Sequence, residues 1–319
     1  MITLSWKTSV LASAIHAARQ IITQITNSSD NEFSALRSVQ SVSGQSVSLE
    51  SSLESSLACS PASSLLPSHD PVSREAFIES SLKLFLRFRA QRDISEETCW
   101  QRIMEEACSD ANLEIYAAEL RELEASYRSL FPKIDEQLAL RGRPIQDYWT
   151  GFGRGLMAHV KRLTEPDWLV PNATAVLVQP IRTGDGLAFP SSKSLFVEAM
   201  LTNVSPEVPE VLRVAWLASQ LGMREIASSP DLTLSKLPSI VEIAMMTCTL
   251  AAGEVLDLCR CDEVTIVKAI DLWRLHPLDS NATPEFIAAT AIGWWETYLQ
   301  TRPTLSVSLV ALNKMLQQR

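Results

Sequence analysis

Nucleophiles, metal ligands and general acids or bases are sparse in this sequence and widely spaced. Its four histidines stand at 16, 69, 159 and 276, and no two share the helical spacing that would set both imidazoles over one metal ion. Six cysteines, at 59, 99, 108, 248, 259 and 261, include no C-x-x-C pair and are too few for a disulfide-stapled scaffold. Cys259, Cys261 and His276 could offer three ligands, but a structural zinc site takes four in clearer pairs, so no metal is assigned. Nucleophilic catalysis has no local signature either. The chain lacks a G-x-S-x-G elbow, and Pro190-Ser-Ser-Lys193 lacks the S-x-x-K order that sets serine and lysine on one helical face.

Two stretches remain. Gly151, Gly153 and Gly155 form G-F-G-R-G, which has the look of a phosphate-cradling loop. Such a loop follows a strand and opens a helix, whereas Ile145, Tyr148, Phe152, Leu156, Val160 and Leu163 run through these glycines as one helical stripe. The glycines therefore read as a close helix approach or a kink, and no cofactor is implied. The second stretch supplies a polar set of candidate ligand-binding residues: His159, Arg182, Asp185, Lys193 and Glu198. Arg182 could bind an anion, Asp185 or Glu198 could act as a base, and His159 could shuttle a proton. The plainer reading makes Asp185 a turn residue and leaves Arg182, Lys193 and Glu198 in solvent. The sequence favours it.

The elements that would position these groups are mostly helices. Glycine is only 10 of 319 residues, while hydrophobic residues make up 46%, enough for a sizeable core. Residues 72–131 contain no glycine or proline and hold two or three helices. In the third of these, Leu113, Tyr116, Leu120, Leu123, Tyr127 and Leu130 form a narrow seam suited to antiparallel packing. A helix from about Pro144 to Leu163 follows, with Pro144 suited to its first turn. Ala173–Val178 is the best strand candidate, and Asp185-Gly186 after Gly184 reads as a turn leading into Leu187–Phe189, so a small β-hairpin is expected there. Downstream, Ser205-Pro206-Glu207, Ser239 with Glu242, Asp262, and Thr283-Pro284-Glu285 each read as a helix start. Trp216, Trp273 and Trp294 lie three turns beyond three of these starts and are expected in the core. Trp294-Trp295 could instead present one ring to a partner.

Composition divides the chain into an amphipathic N-terminal segment 1–29, a Ser-rich linker 30–70, an N-terminal helical part 71–165, a hairpin-containing connection 166–203 and a C-terminal helical part 204–319. Residues 1–29 carry no acidic side chain and place Leu11, Ile15, Ala18, Ile22 and Ile25 on one helical face. That pattern suits docking on the body or a partner, contact with a membrane surface, or a loose tail. Fourteen of the forty residues 31–70 are serine, so this segment buries too little to offset its chain entropy and is expected to be disordered.

The fold class expected is mainly α, a multi-helix bundle-like architecture with one small β-hairpin insert. A formal net charge of −9 argues against nucleic-acid binding, and the longest strongly apolar run, Ile243–Ala252, is half the length of a membrane span. Sparse cysteine points to a cytoplasmic setting. The function expected by exclusion is contact with another protein or self-association; the alternative is an enzyme or small-ligand binder using the 159–198 region.

Overall fold

A computed structural model describes residues 2–28, 71–92, 96–108, 116–165, 168–181, 183–225, 237–275 and 282–317. The Ser-rich linker lies outside the described residues. Packing divides the chain into two units, Ser9–Asp135 on the one hand and Met1–Thr8 with Glu136–Arg319 on the other. The fold is mainly α with a small β insert, as the composition implies.

The Ser9–Asp135 unit is helical. It contains α1 (Val10–Ser28), α2 (Pro71–Arg92), α3 (Glu96–Cys108) and α4 (Ala117–Leu130). Ser9 starts α1, its Oγ accepting from the Ala12 amide at 3.0 Å. Residues Ala12–Ala18 are all buried, and α1 packs on α2, α3 and α4. Of the readings open for this helix, burial inside its own unit is the one observed. The seam on α4 is as expected for its described members: Tyr116, Leu120, Leu123, Tyr127 and Leu130 are buried. Aromatic pairs lock the helices laterally, with Phe77 against Tyr127 at 5.3 Å and Phe85 stacked on Trp100 at 5.2 Å.

Residues 3–8 correct the reading of 1–29 as one helical segment. They form a strand, β1 (Thr3–Thr8), which pairs in parallel with β2 (Asn172–Val178) from Thr3↔Asn172 to Thr8↔Leu177. The expected hairpin is corrected as well. β2 does not pair with β3 (Gly186–Phe189); β4 (Ser194–Glu198) lies between them, parallel to β2 and antiparallel to β3, giving the order β1-β2-β4-β3. The hairpin is β3–β4. Ala173–Val178 has no polar alternation because β2 is an interior strand buried on both faces. Ala173, Ala175 and Leu177 share a face with Leu195 and Val197 of β4, and that face joins the helical core.

From Glu136 onward this unit takes up α5 (Ile134–Tyr148), which continues through a π-helical turn (Trp149–Gly153) into α6 (Arg154–Leu163). G-F-G-R-G therefore lies within a helical rod, with Gly153 at φ −57°, and not at a strand-to-helix phosphate loop. A Cβ on Gly142 would stand 2.6 Å from the Leu177 side chain, so this glycine lets α5 close on the sheet. Pro144 is inside α5 rather than in its first turn, where the sequence puts it. It is half-buried, one turn on from Leu140, which is 56% exposed.

Around them stand α7 (Glu210–Ser219) with a 3-10 extension to Glu225, α8 (Leu237–Val255), α9 (Glu263–Leu272), α10 (Pro284–Thr301) and α11 (Leu305–Gln317). Helix α8 is long and apolar enough to cross a membrane by length and composition, yet 78% of its apolar stretch is buried in the core. Asp262 and Thr283 cap α9 and α10, accepting from the Thr265 amide at 2.8 Å and the Phe286 amide at 3.3 Å. Two other expected starts are displaced. Ser205 lies in a bridge to Val208 and α7 starts at Glu210, whose amide is held by Asn203 Oδ1; Ser239 falls inside α8. Trp216, Trp273 and Trp294 are all buried, and so is Trp295, so neither ring of that pair faces a partner.

Candidate functional site

The loop joining β2 to β3 closes on a carboxylate. Glu198, at the end of β4, is 0% exposed; its Oε1 accepts from the Ile181 amide at 2.6 Å, and its Oε2 from the Gly184 and Asp185 amides at 2.8 and 3.2 Å. A buried carboxylate needs hydrogen-bond donors in place of water, and here the Ile181, Gly184 and Asp185 amides supply them. The chain folds this way locally because Thr183 and Gly184 take left-handed backbone angles, φ 57° and 117°, which turn successive N–H groups inward. Asp185 Oδ1 accepts from the Gly186 amide at 2.8 Å, an interaction of a turn-forming aspartate, but the residue is buried. Glu198 in solvent, the plainer sequence reading, is thus overturned.

Arg213 completes the cluster. Its guanidinium, fully buried in α7, donates from Nη1 to the Asp185 carbonyl at 2.6 Å and from Nη2 to the Glu198 carbonyl at 2.8 Å. Nε donates to Glu210 Oε2 at 2.9 Å, and Nη2 also pairs with that oxygen. Arg213 and Glu210 were not among the sequence candidates. Their signal was a charge pair three residues apart in the otherwise apolar run E-V-L-R-V-A-W-L.

Of the five sequence candidates, the structure brings Asp185 and Glu198 together and leaves two elsewhere. Arg182 lies outside the described residues. Lys193 is exposed in the β3–β4 turn with φ 49°, and no ion pair joins it to the cluster among the described residues. His159 is on α6, where its ring nitrogens stand 2.6 and 3.0 Å from Arg162 Nη2. Burial, and then the Arg162 charge, hold its pKa below the ordinary histidine value. The arrangement can tie a loop to a sheet and a helix. It assembles no acid–base pair with His159, and Glu198 offers its oxygens to the backbone.

The thiols are equally occupied. Cys259 and Cys261 flank the α8–α9 junction, and both are pushed up to about 12 by burial first and by the Glu254 carboxylate second. Burial drives Cys248 higher still. All three stay protonated at neutral pH, unlike reactive thiolates. His276, their conceivable partner, lies outside the described residues; among those described, no three His, Cys, Asp or Glu side chains gather as a metal set.

Gly184 tests the loop. A Cβ there would stand 2.3 Å from the Leu272 carbonyl oxygen at a backbone angle that alanine avoids. Gly184→Ala should cost about 2 kcal/mol or more in urea denaturation. A change under about 0.5 kcal/mol, as at an ordinary surface site, would show that this loop is not held as described.

Comparisons with family models, with curated proteins and with solved structures find no match to this chain.

Proposed function

We propose that this chain is a helical interaction protein that works by binding another protein or a second copy of itself. The observation that carries the reading is an apolar stripe in water. Leu140, Tyr148 and Phe152 are 56%, 42% and 38% exposed, and with Pro144 they recur at four-residue steps along one side of the α5 rod. Ile134, Leu138 and Ile145 on the same helix are buried, as are Leu156 and Val160 beyond it, so Tyr148 and Phe152 depart from the single buried stripe that the sequence spacing draws through them. Core packing accounts for the buried set and leaves the exposed one unexplained; a run of apolar and aromatic side chains on one helical face is what a partner groove or helix takes up.

The alternative, a ligand or enzyme site in the 159–198 region, draws less support because Glu198 and Asp185 are spent on the backbone and His159 sits apart from them. A reducing, cytoplasmic setting is part of the proposal and rests on Cys99, Cys248, Cys259 and Cys261 being free thiols. The net charge of −9 speaks for a protein rather than a nucleic acid as partner.

The test compares the full chain with Tyr148→Ser/Phe152→Ser. Both rings are exposed, so stability should move by less than about 0.5 kcal/mol per site, while binding weakens by about tenfold or more. Quantitative affinity capture reads partners, and light scattering reads self-association. Capture and oligomeric state unchanged in the double variant would refute the proposal.

A further inference from the structure

A cavity of about 610 Å³ opens where α6 ends and α10 passes into α11. Such a volume is ordinary for a small-molecule site. Its lining mixes polar and apolar groups: Arg162 and Thr164 come from the end of α6, Tyr298, Arg302 and Pro303 from the end of α10, and Thr304 from the start of α11, both arginines reaching solvent. Neither arginine has a carboxylate within ion-pair distance among the described residues. Arg302 lies over the Tyr298 ring at 5.7 Å, and Arg162 Nη2 stands against the His159 ring nitrogens. The one acid in the wall, Glu165, has its Oε1 on the Leu305 amide at 2.5 Å, so its charge is directed at the positive end of α11.

Arg302 follows α10 with φ 47° and ψ 49°, a left-handed cap that glycine fills at no steric cost and arginine does not. Asp257 after α8 and Arg274 after α9 likewise have a left-handed φ, so this is the ordinary way helices stop in this chain. Cations at the ends of α6 and α10 do offset the helix dipoles, and a lysine or a distant arginine would serve that purpose equally. Two guanidiniums lining one cavity suit an oxyanion, because each fork can donate two N–H bonds to a carboxylate or phosphate.

We infer that this cavity binds a small molecule through a phosphate or carboxylate group held between Arg162 and Arg302. The site is separate from the Leu140–Phe152 stripe and does not depend on any partner bound there.

The test titrates the full chain with inorganic phosphate in one arm and succinate in the other, at constant ionic strength set with chloride, reading thermal midpoint and calorimetric heat. Saturable binding in the millimolar range or tighter is expected in at least one arm, and the arm that saturates identifies the class of anion. Arg302→Gly removes the guanidinium while keeping the left-handed cap, and Arg162→Gln preserves the helix; each should weaken binding about tenfold or more. Failure of both anions to bind saturably, or binding that survives both substitutions, overturns the inference.

Discussion

Replacing Trp216 by alanine will cost about 3–5 kcal/mol of stability, and replacing Trp294 will cost a similar amount, as large-to-small changes do in a packed core. Trp216 is 2% exposed and stacks on Trp273 with ring centroids 5.0 Å apart. Its indole N–H donates to the Glu242 carbonyl at 2.9 Å, which pins α7 to α8. Truncation removes the stacking partner, the buried area and the hydrogen bond together, and a helix held by neighbours on several sides collapses only partly into the space left. Trp294 sits among Trp295 and Tyr298 and donates to the Ser308 carbonyl at 2.8 Å, joining α10 to α11 in the same manner. Chemical denaturation measures both losses. Val264→Ala, at a side chain 64% exposed, is the control and should stay within about 0.5 kcal/mol. Losses below about 1 kcal/mol at both tryptophans would contradict the packing described.

Arg213→Met should be destabilising on the same scale, about 3–5 kcal/mol, because it breaks a buried charge pair from one side. Methionine fills much of the volume. It cannot donate to the Asp185 and Glu198 carbonyls, and it leaves the Glu210 carboxylate, 8% exposed, without its counter-charge. Leaving a buried acceptor unpaired costs more than the bond itself contributed. The double variant Arg213→Met/Glu210→Gln should therefore recover part of the loss, since the stranded charge is gone while the two carbonyls remain short of donors. A thermodynamic cycle over the four proteins isolates the coupling. Strictly additive effects would show that the pair does not act as a unit. A loss below about 1 kcal/mol in Arg213→Met would remove the cluster's role in holding the 181–185 loop.

The features legible in the residues themselves were those whose physics acts within a turn or two of chain. Asp262 and Thr283 read as caps because a short oxygen-bearing side chain reaches an amide three residues on, whatever surrounds it. The Tyr116–Leu130 seam read as a buried face because its period matches the helix, and the three tryptophans read as core because little else stabilises so large an apolar ring. G-F-G-R-G read as helical since the apolar stripe ran through it. What escaped was set by partners far away in sequence. Thr3–Thr8 becomes a strand only because it meets Asn172–Leu177, and no local pattern encodes a pairing across so many residues. β4 separates β2 from β3 by pairing with both, an order that depends on segments far apart in the chain. Glu198 looked solvated because carboxylates usually are. Its burial depends on the 181–185 amides and, through the Glu198 carbonyl, on Arg213, which the fold delivers from other elements. A charge is kept in the core only where the surrounding structure supplies its hydrogen-bond partners in advance, and that supply belongs to the assembled fold and not to any one segment.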